Sequence, residues 1–575
     1  MTPKPLLLSG YDAKRCARRV HNDFDETLRQ PEWVVSDTLQ ARFDAGTDFE
    51  ARTVGLIGAE MGDRGLDLGE YAKSKAGHVA ATVAAMEDGV EMIIGGRLPD
   101  DVAGARTGRP DLLIRGEDRS DGRSGYVPGD IKGHRALTAP AKQLLTFTTP
   151  ARPGPGHRQQ RAHRLADLRA EDLLQLAHYW RMLEAAGWAA PGGPTGAIIG
   201  TDSLDGWAYT LVWHDLDAPQ LKTFSRTKGT KRRSPLERYD HEFGFRVRIA
   251  EVARRRTGAS DDPEPLVVPV YVDECDSCPW HDVCADLLGG DDPGMAISQG
   301  RLDVREWLAL RRLGVSTTTA LAGLDLDDQG FIADYSLETA HRRDAAKRLA
   351  SAVARAQMVV AGTPLRRTTG GRIDLPDADI EIDLDSEWDP TGRVYLWGAL
   401  VQDRHDTTGG GPIYKSFVSW QALDAAGEAQ LAGKLLEWLR REYREAGAGG
   451  RTVRVYHYSH PEPSRLRAVA KSPVWVGLAS PEEVDELIDA TFVDLCTVMR
   501  DNFLAVDGLG LKNVAVAGAG FHWRDDDPGG LQSQQWLIDA RAGSTAERDG
   551  AIGRILAYNE DDVRATSELR RWLRQ

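Results

Sequence analysis

Cysteine is scarce in this sequence, five residues in 575, which excludes a fold held together by a disulfide framework. Long hydrophobic runs are absent as well, so no segment reads as a membrane-spanning helix. The opening Met1-Thr2-Pro3-Lys4-Pro5-Leu6-Leu7-Leu8-Ser9-Gly10 holds an apolar run too short for a secretory signal, and no small-residue cleavage site follows it. The expectation is a cytoplasmic protein. No G-x-x-x-x-G-K-S/T loop occurs, which excludes an obvious ATP motor, and no repeat with a period of roughly 20–50 residues marks a solenoid or propeller. Positive charge is also short: 72 Lys and Arg face 87 Asp and Glu, for a net charge of -15. A polyanion-binding protein would not be expected from that balance alone. Carboxylates collected in metal sites and on solvated helices produce the same balance, so local clusters carry more weight than the sum. Two basic clusters stand out, Arg226–Arg233 and Arg158–Arg169, and each reads equally well as a phosphate contact or as solvated surface.

What is present describes a globular chain: 41% hydrophobic and 28% charged residues, long enough for about two to four domains. Residues 1–290 mix helical and strand patterns, with a Pro- and Gly-rich loop at Pro150–Gly156. Residues 291–370 read as a helical connector. In it, one helix ends at Gly314 and Ser316 or Thr317 caps the next. That segment resembles a helix-hairpin-helix, a grip on DNA backbone, although an ordinary helical linker is the preferred reading. Residues 371–575 begin with three strands, a helix and a further strand, the start of a mixed α/β domain.

Chemistry-bearing residues fall into three groups. In the first, Asp111 starts a strand, a turn-rich segment follows, and Asp130 and Lys132 lie two apart on the next strand, hence on one face. Asp111 can meet them across the hairpin. Two carboxylates suit a hard divalent cation such as Mg²⁺ or Mn²⁺, and an adjacent lysine can orient an attacking water and lower its pKa. Glu50, on an upstream helix, offers a third carboxylate. Gln175 and Tyr179, at i and i+4, share one helix face. In the second group, Cys275, Cys278 and Cys284 form C-x2-C-x5-C, a spacing that lets three thiolates converge. The fourth ligand must come from elsewhere, and Cys16 is the only other cysteine in the N-terminal half. Structural zinc is the general reading of four cysteines. His281, inside the triplet, is a candidate ligand but reads preferentially as exposed, and Cys496 as a buried core thiol. In the third group, Glu381, Asp383, Asp385 and Glu387 alternate along one strand. Four aligned acids would repel one another, and a metal resolves the conflict. Asp385 and Glu387 are the expected pair, with Asp383 competing. Far downstream, Tyr558-Asn559-Glu560-Asp561-Asp562 opens a terminal helix that puts Tyr558 and Asp562 on one face. Glu462, at a helix start, is the expected middle acid, with Asp494 as the alternative.

The first group resembles the RecB-type branch of the PD-(D/E)XK nucleases, which includes the iron–sulfur nucleases of CRISPR systems. That family runs G-x-x-x-H/E, G-x-x-D, D/E-x-K, Q-x-x-x-Y. This chain reads Gly46 to Glu50, Gly108-Arg109-Pro110-Asp111, Asp130-Ile131-Lys132, and Gln175 to Tyr179. Glu50 stands where many members have histidine, which implies a different metal preference. The resemblance implies a restriction-endonuclease-like core with Asp111, Asp130 and Glu50 as metal ligands, Lys132 activating water, and Gln175 and Tyr179 contacting DNA or ordering the site. The one-plus-three cysteine split resembles the [4Fe–4S] clamp of the same family, so Cys16, Cys275, Cys278 and Cys284 are expected to hold a cluster that staples the domain, with zinc as the alternative. The third group resembles the DEDD 3′–5′ exonucleases of the RNase H-like superfamily, in which acids hold two metals and a tyrosine positions water. That implies an RNase H-like domain using Asp385, Glu387, Glu462 and Asp562 with Tyr558. Gly510-Leu511-Lys512-Asn513 resembles the S-L-K segment of related domains.

Nearly the whole chain resembles a bacterial family of RecB-like nucleases. The implied function is a metal-dependent DNA nuclease, an exonuclease in DNA processing, repair or defence, with a helicase on another chain as a candidate partner. Two rivals stand beside it: a non-catalytic scaffold that binds DNA ends and recruits a helicase, and an RNA-directed nuclease acting through the C-terminal domain.

Overall fold

The computed structural model describes residues 4–575 apart from 34, 36, 72–73, 166–169, 202, 205–206, 226–228, 407–410, 476, 478 and 526–529. Part of each basic cluster, Arg226–Arg233 and Arg158–Arg169, therefore lies outside the described residues. The chain divides into two compact units: Met1–Gly289 with Thr339–Arg343, and Gly290–Glu338 with Asp344–Gln575. The helical segment after residue 290 thus belongs largely with the C-terminal unit.

An eight-stranded mixed sheet organises the N-terminal unit. Its strands are β1 (Gly65–Asp67), β2 (Met92–Ile94), β3 (Leu112–Asp118), β4 (Ser124–Ile131), β5 (Leu137–Thr148), β6 (Gln159–Leu165), β7 (Thr195–Ile199) and β8 (Leu211–Asp215), in the order β1-β2-β3-β4-β7-β8-β5-β6. β3 and β4 form the expected antiparallel hairpin, and β4 runs parallel to β7. Five helices matter for the sites: α1 (Ala17–Phe24), α2 (Asp37–Met61), α3 (Ala170–Ala186), α4 (Pro235–Ala253) and α5 (His281–Leu288). Leu112, Leu113 and Ile114 of β3 are fully buried against Leu173, Leu176 and Leu183 of α3 in one continuous core. Both faces of β3 are covered, which is why it reads as an unbroken apolar run.

In the C-terminal unit, α6 (Val304–Arg312) and α7 (Thr318–Ala322) flank a tight turn. Gly314 takes a left-handed φ of 87°, and Thr317 caps α7 by accepting from the Ala320 amide at 3.0 Å. Five strands follow: β9 (Ile380–Trp388), β10 (Val394–Asp403), β11 (Ile413–Val418), β12 (Val453–His457) and β13 (Phe492–Asp494), in the order β11-β10-β9-β12-β13. β9 is antiparallel to β10 and parallel to β12. Helices α8 (Ala425–Ala448), α9 (Pro461–Ala470), α10 (Leu495–Asn502) and α11 (Thr545–Leu573) complete the frame. The alternation of β9 sends Ile382 and Leu384 into a core with Leu431, Leu435 and Leu439 of α8. Its acids are thereby committed to the other face, where α11 lies.

Candidate active sites

In the N-terminal unit the β3–β4 ladder pairs Leu112 with Gly129, so Asp111 and Asp130 meet at its end. The Ile131 amide donates to Asp111 Oδ2 at 2.7 Å. Lys132 Nζ lies 2.5 Å from Asp130 Oδ2 and donates to Gln175 Oε1 at 3.3 Å. Gln175 Nε2 donates in turn to Asp130 Oδ1 at 3.4 Å and to the Tyr179 hydroxyl at 3.3 Å, and that hydroxyl donates to the Arg109 carbonyl at 3.1 Å. Five of the residues expected from sequence therefore form one network. Gly108 has a steric reason to be glycine: a Cβ there would lie 2.7 Å from the Tyr179 ring. Burial, and then the neighbouring Asp130 carboxylate, push Asp111 well above the usual carboxylate range. Burial works against the charge on Lys132, but Asp130 and Asp111 outweigh it and raise its pKa.

Glu50 departs from expectation. It is exposed on α2, and no third carboxylate converges with Asp111 and Asp130 among the described residues. Its neighbour Phe49 packs against the core and the Tyr209 ring. One residue is about 100° around a helix, so burying Phe49 turns Glu50 away. One group went unrecognised in the sequence. Lys14 Nζ donates to Gln175 Oε1 at 2.6 Å, and burial, with Lys132 adding repulsion, lowers its pKa to about 8. A lone lysine near the start of the chain carries no spacing that could have flagged it.

Cys16, Cys275, Cys278 and Cys284 line one small cavity together with Arg18, Arg19 and Trp280. Burial, and then the other thiols, raise the pKa of Cys275 to about 12 and that of Cys278 and Cys284 in the same direction. No three of these sulfurs lie within 4.8 Å of one another among the described residues. Four thiolates on one zinc sit about 3.8 Å apart, as tetrahedral geometry with ~2.3 Å Zn–S bonds requires. The closed zinc site expected as the alternative is not formed by this arrangement. His281 is half-buried, its Nε2 3.0 Å from the Tyr271 hydroxyl and its Nδ1 2.8 Å from Asp282. Cys496 is not the buried core thiol expected: it is half-buried in the first turn of α10, with Arg500 3.6 Å from its sulfur.

In the C-terminal unit, carboxylate oxygens of Asp385, Glu387 and Asp562 all lie within 4.8 Å of one another. Glu387 and Asp562 are buried. Burial, followed by repulsion from Asp562, lifts Glu387 to about 8 and holds Asp385 well above the usual range. Burial also raises Asp562 to about 6, against the pull of its Trp523 hydrogen bond. Three carboxylates that repel one another, two of them buried and Asp385 partly so, fit a divalent cation, because a cation removes the repulsion that burial intensifies.

Residues 382–574 match the family model RNase_H_2 of the RNase H superfamily. Neither the curated proteins nor the solved structures contain a match to the chain. Within this RNase H-like domain the contacts of the alternating strand divide its acids into two pairs. Only Asp385 and Glu387 join the metal-type group. Asp383, the competing choice, and Glu381 are instead neutralised by α11: Arg570 donates to Asp383 at 3.1 and 2.8 Å and pairs with Glu381, while Arg574 reaches Glu381 at 2.7 Å. Counter-charge, not metal, resolves the repulsion at that end of the strand.

The Tyr558–Asp562 motif lies within α11 rather than opening it, since the helix begins at Thr545. The RNase H-like site also uses residues to which sequence reasoning gave no role. Asn559 Nδ2 donates to Asp385 Oδ2 at 2.8 Å, and its Oδ1 accepts from Tyr414 at 2.8 Å. Ser533 donates to Glu387 at 3.0 Å, Trp523 to Asp562 at 2.7 Å, and Lys512 to the Tyr558 hydroxyl at 3.1 Å. Asn559 lies inside the Tyr558–Asp562 motif and Lys512 inside the S-L-K-like segment. Trp523 and Ser533 carry no signal in the sequence.

Glu462, expected as the middle acid, sits beside this group and not in it. It is buried, accepts from Ser386 Oγ at 2.9 Å, and burial lifts it to about 7. Ser386 lies on the opposite face of β9 from Asp385 and Glu387, which sets Glu462 apart from the three. The alternative, Asp494, is occupied as a cap: it accepts from the Ser459 and Cys496 amides at 3.0 and 2.9 Å.

Proposed function

We propose that the protein is a metal-dependent nuclease that hydrolyses phosphodiesters of DNA, with an exonucleolytic RNase H-like site and a second, PD-(D/E)XK-type site in the N-terminal unit. The observation that carries the reading is the convergence of Asp385, Glu387 and Asp562, with carboxylate oxygens within 4.8 Å of one another, in a domain matching the RNase H superfamily. These three would hold Mg²⁺ or Mn²⁺, which supplies charge neutralisation at the phosphate and hydroxide at neutral pH. Asn559 holds Asp385 in place and Trp523 holds Asp562. The Tyr558 hydroxyl accepts from Lys512 and is hydrogen-bonded to Asp562, which ties the tyrosine to the three carboxylates. In the N-terminal unit Asp111 and Asp130 would hold the cation, with Lys132 beside the attacking water. Cys16, Cys275, Cys278 and Cys284, which line one cavity, would hold a [4Fe–4S] cluster on this reading, with zinc as the alternative. On this reading the protein works in the cytoplasm on DNA ends, with a helicase on a separate chain.

The test is cleavage of end-labelled single- and double-stranded DNA with Mn²⁺ by anaerobically purified wild type, Asp130→Ala and Asp385→Ala, recording visible absorbance on each preparation. Each variant is expected to lose the cleavage belonging to its own site and to keep the brown chromophore. DNA binding without cleavage in every preparation would overturn the nuclease reading in favour of a scaffold.

A further inference from the structure

The N-terminal site contains a cation that the paired-carboxylate motif does not account for. Lys14 lies in the turn between Leu8, which bridges to Arg106, and helix α1. Its ammonium donates to Gln175 Oε1 at 2.6 Å and sits 4.3 Å from the centroid of the Tyr11 ring. Lys132 donates to the same amide oxygen at 3.3 Å. Two ammonium groups thus share one neutral oxygen, but they differ in their charge partners. Lys132 is paired with Asp130. Lys14, among the described residues, has no carboxylate within ion-pair reach, only the amide and the ring. Asp130 and Asp172 attract it from beyond contact distance, but a largely desolvated ammonium with no carboxylate in contact is costly, and a neutral oxygen and a π face offset only part of that cost. The geometry suits a site whose counter-ion arrives with the ligand. The amide that holds Lys14 also donates to Asp130 Oδ1 at 3.4 Å, so the ammonium stands one side chain away from the carboxylate pair.

We propose that Lys14 contacts a backbone phosphate of the nucleic acid bound at the Asp111–Asp130 site, a proposal that rests on reading that site as a nuclease centre. The ion pair forms only when substrate is present. Gln175 then serves two purposes. It orders Asp130, and it holds Lys14 beside the carboxylate pair until a phosphate replaces part of its solvation.

Two measurements separate this proposal from the reading beneath it. The first is binding of a fluorescein-labelled single-stranded DNA in EDTA across a salt series, for wild type, Lys14→Gln and Lys14→Arg. Losing one phosphate contact lowers the slope of log K against log salt by about one and weakens binding about five-fold. Lys14→Gln is expected to show both, and Lys14→Arg to keep the wild-type slope. The second is cleavage in an Asp385→Ala background, where Asp130→Ala asks whether the N-terminal site cuts at all. Activity surviving Asp130→Ala would remove the nuclease reading while leaving the salt slope to judge Lys14. A Lys14→Gln protein with the wild-type slope overturns the proposal, whatever its melting temperature or visible absorbance, because a merely structural lysine changes stability and not counter-ion release.

Discussion

Gly398 lies opposite Asp385 in the β9–β10 ladder, and a Cβ there would come within 1.6 Å of Asn559 Oδ1. The residue is therefore a condition for Asn559 to reach Asp385. Gly398→Ala is expected to cost about 1–3 kcal/mol of stability through overpacking and to weaken Mn²⁺ binding about 10–100-fold by displacing a residue that orients a ligand. Thermal melts and calorimetric Mn²⁺ titration check the two effects. Glu387 makes a pH-dependent prediction at the same scale. Its folded pKa of about 8 lies above that of an unfolded glutamate, so the folded chain keeps a proton that the unfolded chain has released. Stability then falls as pH rises from the ordinary carboxylate range to about 8. In EDTA, Glu387→Gln is expected to melt with wild type near pH ~4 and several degrees above it by pH ~8. Saturating Mn²⁺ should reverse the order at the higher pH, because only wild type gains a ligand. A melting difference independent of pH would remove the assignment.

At the scale of elements, one strand and one helix face divide their labour. Along β9, the first two acids meet arginines of α11 and the last two meet its Asp562. Asp383→Asn and Asp385→Asn should therefore fail in opposite ways. The first is expected to lower the melting temperature and keep Mn²⁺ binding. The second should lose Mn²⁺ binding and melt no lower in EDTA. Arg570→Met leaves Asp383 buried without its counter-charge, a loss of about 3–5 kcal/mol, measurable by urea unfolding of the C-terminal unit. The alternation of acids was legible in the sequence, because a strand period of two is local. Which acid meets arginine and which meets acid was not, because the partners lie 187 and 189 residues away on α11. Tyr558 and Asp562 were legible for the same local reason as the strand, their i, i+4 spacing.

Across the whole molecule, the cysteines make a separate prediction. Cys16 comes from the segment before α1, and the other three from residues 275–284. The chain thus returns to bring the four cysteines to one cavity, and the proposed cluster there would tie the unit's two ends. Cys284→Ser is expected to lose the visible absorbance and to lower the melting transition of the N-terminal unit. Mn²⁺ stabilisation of the RNase H-like domain should persist. A colourless wild-type protein that nonetheless binds one zinc would replace the cluster with a rearranged zinc site.

The sequence by itself determined the hairpin that brings Asp111, Asp130 and Lys132 together, the helix faces bearing Gln175 with Tyr179 and Tyr558 with Asp562, and the strand that bears Asp385 and Glu387. All of these rest on backbone periodicity, which is written within a few residues. Tertiary structure decided the rest. Burial of Phe49 turned Glu50 outward, α11 claimed Glu381 and Asp383 for ion pairs, and the face of β9 occupied by Ser386 set Glu462 apart. Lys14, Lys512, Trp523 and Ser533 entered the sites from elements outside those motifs. A side chain's partner depends on what is packed against it, and packing is a property of the folded chain as a whole.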